Sequence, residues 1–324
     1  AAVLKKIDLF GRQLTFEDDD VQAYKTYFGA ALSALTFIAV FIIAFLFGKE
    51  IYERKMPIVM NSEELQDLSS VPLSEFPFVF LFYDSEGKDI EDIYSRLELR
   101  ISYISMDSQG QIGLGIYRGM TECNPDHYTK HRDFVEKTVL QAKATGFTPY
   151  CTSWEPEFRV QNPTLSLNST TFYIAIYDCD NEYNKLNQMV IRNPEDVFPK
   201  CKEWTLANRQ VHASVNYMNS FVDPKNYSNP IVYYPENQLV PLDVGSAYRL
   251  RVHLEKALVS TDLGWILEEI SHQEAVYIKD LPRELFIPSL KEKLTIEVSA
   301  SLRRTQIVRN YLKLQELFAK IGGL

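Results

Sequence analysis

Residues 24–55 read YKTYFGAALSALTFIAVFIIAFLFGKEIYERK, and this stretch decides the fold because it separates a membrane protein from a soluble one. From Thr26 to Gly48 it contains no Asp, Glu, Lys, Arg or His. As a helix, this run would extend roughly 34 Å, enough to cross a hydrocarbon core of about 30 Å. It is apolar on every side, whereas a surface helix would carry a polar face. We therefore predict a transmembrane helix at residues 26–48.

The first turns of this run are rich in small side chains, which would let a second helix approach closely. The predicted helix-packing residues are Gly29, Ala30, Ser33 and Ala34. We therefore expect the lipid bilayer and other membrane protein subunits as partners, in a hetero-oligomer.

The sequence signals disagree on the orientation of the predicted span. Lys49, Arg54 and Lys55 follow the run, and only Lys25 lies close before it, so a count of basic residues places the C-terminal side in the cytosol. Two downstream features favour the opposite orientation. Asn168 and Asn226 begin acceptor triplets for N-glycosylation. We give these features, with the cysteines, more weight and predict that residues after about 57 are non-cytosolic, in the secretory pathway or at the cell surface.

All cysteines also lie downstream of the span, and their even number is typical of disulfides in an oxidising compartment. They are Cys123, Cys151, Cys179 and Cys201. Four cysteines allow three pairings, and sequential pairing would close loops of roughly 20 to 30 residues. The pairing stays open at this point.

The region after the span alternates short strand-like runs with turn signals. LELRISYIS and YRLRVHLEK alternate apolar and polar residues, the period of a strand with one buried face. The predicted fold class is mainly β: an antiparallel β-sandwich ectodomain with an N-terminal transmembrane helix and a C-terminal amphipathic helix. The C-terminal helix is predicted from a stripe formed by Ile307, Tyr311, Leu314, Phe318 and Ile321.

The predicted domain boundaries follow from these features. They are a short cytosolic tail at 1–25, the transmembrane helix at 26–48, a connector at 49–75, the β-sandwich ectodomain at 76–299, and a C-terminal helix at 300–324 that leads toward a second span. A short helix is also expected from Asn193 toward Cys201, because Asn-Pro-Glu-Asp reads as a helix start.

Charge and motifs exclude several function classes. A net charge of -9 argues against nucleic-acid binding. No hydrolase elbow, zinc-protease helix or phosphate-binding loop is present, so we expect no catalytic residues, no cofactor and no metal. Cys123, His127 and His131 stand at four-residue steps, but Pro125 interrupts that helix and no fourth ligand is near.

Several short motifs point to known families. The segment IDLFGRQLTFEDDDVQAYKTYFG before the span, FYIAIYDCDNEYNKL and VSTDLGWILEE resemble a ciliate family of two-span membrane proteins with a β-rich ectodomain. The layout is also similar to the ERGIC/Erv-type cargo receptors, in which Lys-Thr-x-x-Gly precedes the first span and Ile-Gly-Gly opens the second. This resemblance implies a short cytosolic N-terminus, a large non-cytosolic β domain and a second span. It brings no catalytic residues.

The sequence thus favours a non-enzymatic integral membrane protein that serves as a structural or accessory subunit of a larger complex. Two alternatives remain. One is a cargo or ligand receptor of the secretory pathway, and the other is an accessory subunit of a mitochondrial inner-membrane complex, which would carry no glycan.

Overall fold

The computed structural model describes most of the chain outside the N-terminal tail. The described residues are 26–65, 70–90, 93, 96–107, 109–118, 120–128, 130–152, 158–161, 169–178, 211–242, 246–286 and 292–322. The predicted helix at Asn193 and the predicted tail at 1–25 lie outside these ranges.

Helix α1 (Tyr27–Glu53) contains the uncharged run from its second residue onward and continues for about one further turn. Thr26 caps its start, since the threonine hydroxyl accepts a hydrogen bond from the amide of Gly29 at 2.9 Å. Arg54 ends it in the left-handed conformation, with φ of 47°. The helix is long and apolar enough to cross a membrane, with a mean hydropathy of 2.7 in its most apolar window and only 12% of that window buried.

The remaining described elements are mainly strands. They are β1 (Ile58–Leu65), β2 (Ser70–Pro72), β3 (Phe78–Asp84), β4 (Leu97–Met106), β5 (Ile112–Arg118), β6 (Met120–Glu122), β7 (Tyr150–Thr152), β8 (Arg159–Gln161), β9 (Ser169–Asp178), β10 (Val211–Val222), β11 (Ile231–Leu242), β12 (Ala247–Asp262), β13 (Ile270–Ile278), β14 (Arg283–Phe286) and β15 (Glu292–Asn310). Two helices, α2 (Arg132–Ala144) and α3 (Leu314–Gly322), and two 3-10 turns, Leu73–Glu75 and Pro125–His127, complete them. The prediction of a mainly β protein is confirmed.

The strands form two sheets. The larger has the order β13-β12-β15-β9-β4-β5, with β1, β2, β8 and β14 paired at its sides, and the smaller has the order β11-β10-β3-β7-β6. Apolar side chains from both sheets form one core, in which Phe80 and Ala213 of the smaller sheet join Ile101, Ile174 and Val252 of the larger. Around Val252 on β12, buried and half-buried positions alternate as the period of two requires, whereas β3 and β4 bury several consecutive residues.

Two fold predictions need correction. The sheets are not wholly antiparallel, because β12 and β15 pair in parallel from Tyr248 with Leu294 to Thr261 with Arg309. The predicted C-terminal helix is wrong over residues 300–310, which belong to β15. That segment has β12 on one side and β1 on the other, so its backbone groups are paired in the sheet and tertiary pairing overrides the helical stripe. The helix is confined to α3.

The predicted connector at 49–75 is also more structured than its proline and serine content suggested. It includes the last turn of α1, strand β1 and strand β2. Strand β1 begins four residues after Arg54 and pairs with the end of β15, from Ile58 opposite Asn310 to Leu65 opposite Arg303. The path out of α1 is thus fixed by the larger sheet.

Candidate functional site

The structure forms one disulfide between predicted cysteines. Cys123 and Cys151 are bonded across a sequence separation of 28 residues, whereas Cys179 and Cys201 lie outside the described residues. The bond ties the segment after β6 to strand β7, beside a small cluster of buried apolar side chains from α2 and β3. Cys123 is therefore not a metal ligand. Within the described part of the chain, no group of three His, Cys, Asp or Glu side chains could hold a metal ion.

Of the two predicted glycosylation sites, Asn168 lies outside the described residues and Asn226 is exposed. Asn226 lies in the turn between β10 and β11, where its Oδ1 accepts a hydrogen bond from the amide of Asn229 at 3.0 Å. Its exposure leaves room for a glycan, and its modification stays a prediction.

The predicted helix-packing residues lie in the first two turns of α1. Gly29, Ala30 and Ser33 are buried within the chain and Ala34 is partly buried. The Ser33 hydroxyl donates to the carbonyl of Gly29 at 2.9 Å, which satisfies it inside the helix. Contact of these residues with another subunit stays a prediction.

The most elaborate polar arrangement surrounds Arg54, the residue that follows α1. Its side chain is buried, and its Nη1 donates to the Tyr227 hydroxyl at 2.5 Å and to the Leu263 carbonyl at 2.9 Å. The guanidinium also lies over three aromatic rings, those of Tyr227, Trp265 and Tyr311, at 4.7, 5.1 and 5.8 Å from the ring centres. Such contacts suit arginine, because its delocalised charge is weakly hydrated and stacks on aromatic faces.

A second buried arginine lies close to the three aromatic rings that surround Arg54. Arg309, near the end of β15, is 1% exposed and donates to Thr261 on β12 at 2.7 and 3.0 Å and to the carbonyl of Asn226 at 2.6 Å. Weaker bonds reach the carbonyls of Pro224 and Tyr227 at 3.3 and 3.4 Å. Burial lowers the pKa of Arg309, and no carboxylate lies in direct contact within the described residues. Arg309 therefore fixes the turn that carries Tyr227.

An ion pair holds the third segment of this region. Lys313 Nζ lies 2.7 Å from Asp262 Oδ2, and both side chains are almost fully buried. Burial alone would raise the pKa of Asp262, but hydrogen bonds from Lys313 and from two backbone amides lower it overall. The Leu314 amide donates to the Trp265 carbonyl at 3.0 Å, so α3 begins on the same loop. Leu317 of α3 packs near Gly48 on α1.

We call this region the junction, defined by Arg54, Tyr227, Asp262, Trp265, Arg309, Tyr311 and Lys313. The Tyr311 hydroxyl is buried there without a hydrogen-bond partner among the described residues, and burial raises its pKa. Beside the junction runs an open groove of about 640 Å³. It is lined by Leu46, Lys49, Glu50, Glu53, Lys55, Met56 and Lys225.

Sequence reasoning missed the junction because arginine is expected at the surface. Arg54 was counted only as a basic flank of the span, and nothing local marks its burial. The pattern around Arg309 gives no local signal either, since residues 304–308 of β15 are all half-buried and show no alternation.

The fold and the junction together define a class: a mainly β domain in direct contact with the end of one helix that could cross a membrane. A family model described as the Uncharacterised 80 kDa protein N-terminal domain matches residues 84–292, which is more than half of the chain. The chain belongs to this family. The match covers β-rich sequence and does not include α1. No curated protein matches the chain.

Two solved structures align with most of the chain at low similarity. A proton-activated chloride channel has 11% sequence identity and a TM-score of 0.25, with 92% of each chain covered. Erv41p has 9% identity and a TM-score of 0.22, with 76% of this chain and 99% of that chain covered. Both TM-scores are too low to define a fold or a function. The Erv-type resemblance and the ciliate resemblance both stay predictions.

Proposed function

We propose that this protein is a non-enzymatic integral membrane protein, in which α1 crosses the bilayer and the β domain acts as a structural or accessory subunit of a larger membrane complex. The junction is the observation that carries this proposal. Arg54 directly follows the helix and is bound by three separate segments of the β domain, at Tyr227, Leu263 and Tyr311. The β domain therefore binds the end of α1 directly, and the two are not connected only by a flexible linker.

Such a connection suits a subunit whose surfaces must lie at a fixed height and angle above a membrane. A catalytic domain depends on an arranged set of reactive side chains. A structural subunit depends instead on a fixed orientation toward the neighbouring subunits. The uncovered apolar surface of α1, with Phe37, Phe41 and Phe45 all more than half exposed, would be covered by lipid or by helices of partner subunits.

The test begins with the full chain in its own membranes. Resistance to alkaline carbonate extraction is expected for an integral protein, and mild detergent should then release a particle that contains other polypeptides in fixed ratio. Arg54→Ala should reduce the yield of that particle, while Lys55→Ala, at an exposed neighbouring position, should not. A single-component particle, or turnover of a substrate that one substitution abolishes, would contradict the proposal.

We further propose that the β domain lies in the lumen of the secretory pathway or outside the cell. The Cys123–Cys151 disulfide and the exposure of Asn226 support this compartment. The basic flank is also weaker opposing evidence than a simple count suggests. Arg54 is occupied by the β domain, and Lys49 and Lys55 lie 3.7 and 3.4 Å from the carboxylate of Glu53.

Mass analysis of Asn168 and Asn226, with and without a glycosidase, tests the compartment. A glycan at either position places the β domain in the secretory pathway. Unmodified asparagines in protein isolated from its native membranes would favour the mitochondrial inner membrane or an inverted orientation.

A further inference from the structure

The loop between β12 and β13 exposes three consecutive large apolar side chains. Trp265, Ile266 and Leu267 are 51%, 56% and 81% exposed. In water this exposure is unfavourable, since each such side chain gains free energy when it leaves the solvent. Exposed apolar clusters of this kind mark contact surfaces.

The loop is held in this conformation by its own hydrogen bonds. Asp262 Oδ1 accepts from the amides of Gly264 and Glu269, each at 3.0 Å, and the Leu263 amide donates to the Glu269 carbonyl at 2.7 Å. Gly264 is required, because a Cβ there would lie 1.7 Å from the carbonyl oxygen of Leu267. The apolar tip is therefore presented by a fixed turn, and little conformational entropy is lost when it binds.

The tip lies at the level of the end of α1. The Trp265 ring is 5.1 Å from the guanidinium carbon of Arg54, and the Trp265 carbonyl binds the first amide of α3. Further exposed apolar side chains surround this end of the β domain, namely Met56, Ile58, Ile270 and Phe318. Together with the tip they form a rim around the helix end.

We propose that Trp265, Ile266 and Leu267 insert into the headgroup region of the bilayer that α1 crosses, as a second membrane contact of the β domain. This inference rests on the proposed function. Its occupant is lipid because the rim is continuous with the end of the span, where the bilayer surface must begin. Tryptophan at this height also matches its preference for the membrane interface, and the aliphatic pair reaches further toward the acyl chains.

Strand register provides a matched control. Leu285 on β14 is 65% exposed, similar to the tip, and pairs with Tyr248, at the opposite end of β12 from Asp262. The fourteen residue steps between Tyr248 and Asp262 correspond to roughly 45 Å of strand, so Leu285 lies far from the helix end. A bilayer at the rim would not reach it.

The experiment compares Leu267→Trp with Leu285→Trp, each in a Trp265→Phe background, with the full chain reconstituted in phosphatidylcholine vesicles. Brominated acyl chains quench only tryptophans that touch the bilayer. The two remaining tryptophans are common to both variants and cancel in the difference. We expect quenching of the tryptophan introduced at position 267 to exceed that at position 285 by at least about threefold.

Equal, weak quenching at both positions, in vesicles from which carbonate does not extract the chain, overturns the inference and leaves the proposed function intact. A blue-shifted emission at position 267 without bromine quenching also overturns it, because protein then covers the tip. If carbonate does extract the chain, the proposed span itself fails. A Leu267→Ser variant in the same vesicles should lose the protection of the loop from protease, while Leu285→Ser should not.

Discussion

The junction and the disulfide cluster stabilise different parts of the β domain by different means. The disulfide cluster consists of Cys123, Cys151 and the apolar side chains packed beside them, Val79, Tyr128, Phe134, Val135 and Val139. The junction uses buried cations, aromatic rings and backbone carbonyls. Apolar contacts are nondirectional and hold a region compact, whereas hydrogen bonds and stacked rings fix orientation. The directional contacts are found where the long helix must be held at a set angle.

The largest effect is expected from Arg309→Met. The substitution removes hydrogen bonds of the buried guanidinium and leaves the Asn226 carbonyl without that donor. We expect the free energy of unfolding to fall by about 4 kcal/mol, measured by urea titration of the full chain in detergent micelles. Arg303→Met is the matched control on the same strand, since its side chain is 61% exposed, and should change stability by less than about 1 kcal/mol. Equal losses of stability in Arg309→Met and Arg303→Met would mean that the hydrogen bonds of Arg309 do not stabilise the junction.

The disulfide should act through the unfolded chain. The double substitution Cys123→Ala and Cys151→Ala opens a loop closed across 28 residues, for an expected loss of about 3.5 kcal/mol in the chain-entropy model. The unfolding midpoint should fall, but protease resistance of the segment around Arg54 in the native state should not change. Loss of that resistance would show that the two regions are coupled.

Lys313→Met leaves the buried carboxylate of Asp262 without its cation. We expect a loss of about 3 kcal/mol at neutral pH. The pKa of Asp262 is below its ordinary 3.8 in the folded protein, so its contribution is complete above that value and is lost as pH falls below it. The variant lacks the lysine that lowers this pKa, so the difference from wild type should shrink as the medium is acidified through that window. A difference that is constant with pH would exclude the ion pair as its cause.

The sequence predicted elements whose signal is local. The uncharged run predicted α1, and the two alternating runs LELRISYIS and YRLRVHLEK lie within strands β4 and β12. Pairings between distant segments left no such signal. The residues that β12 and β15 pair in parallel, such as Tyr248 and Leu294, are more than 40 positions apart in sequence. The hydrogen-bond partners of Arg54 lie at sequence separations of 173 and 209. The C-terminal stripe misled for the same reason, because β1 and β12 compete for residues 300–310.

A smaller effect is expected at Arg54, where two substitutions distinguish the cost of lost contacts from the cost of backbone strain. Arg54→Ala removes the stacked cation but keeps a side chain at φ of 47°, and should cost about 2 kcal/mol. Arg54→Gly removes the same contacts and also relieves the left-handed strain, so it should be more stable than the alanine variant by about 1 kcal/mol. Urea titration of both variants gives this difference. An alanine variant as stable as the glycine variant would show that the junction does not impose the left-handed turn.

The smallest effect at neutral pH is expected at His131, which precedes α2 beside the disulfide cluster, and this effect grows as the pH falls. Burial, with the charge of Lys130, lowers the pKa of His131 from 6.5 to about 4. Since the folded state binds the proton less readily, the histidine costs no stability above pH 6.5 and destabilises the fold progressively as pH falls toward 4. Asn tolerates the left-handed φ of 62° at this position, so His131→Asn should keep the turn and flatten the stability profile between these pH values. The Asp262 contribution responds only at lower pH. If the stability profiles of wild type and His131→Asn remain parallel from pH 6.5 to 4, His131 is not the source of an acid-sensitive loss of stability.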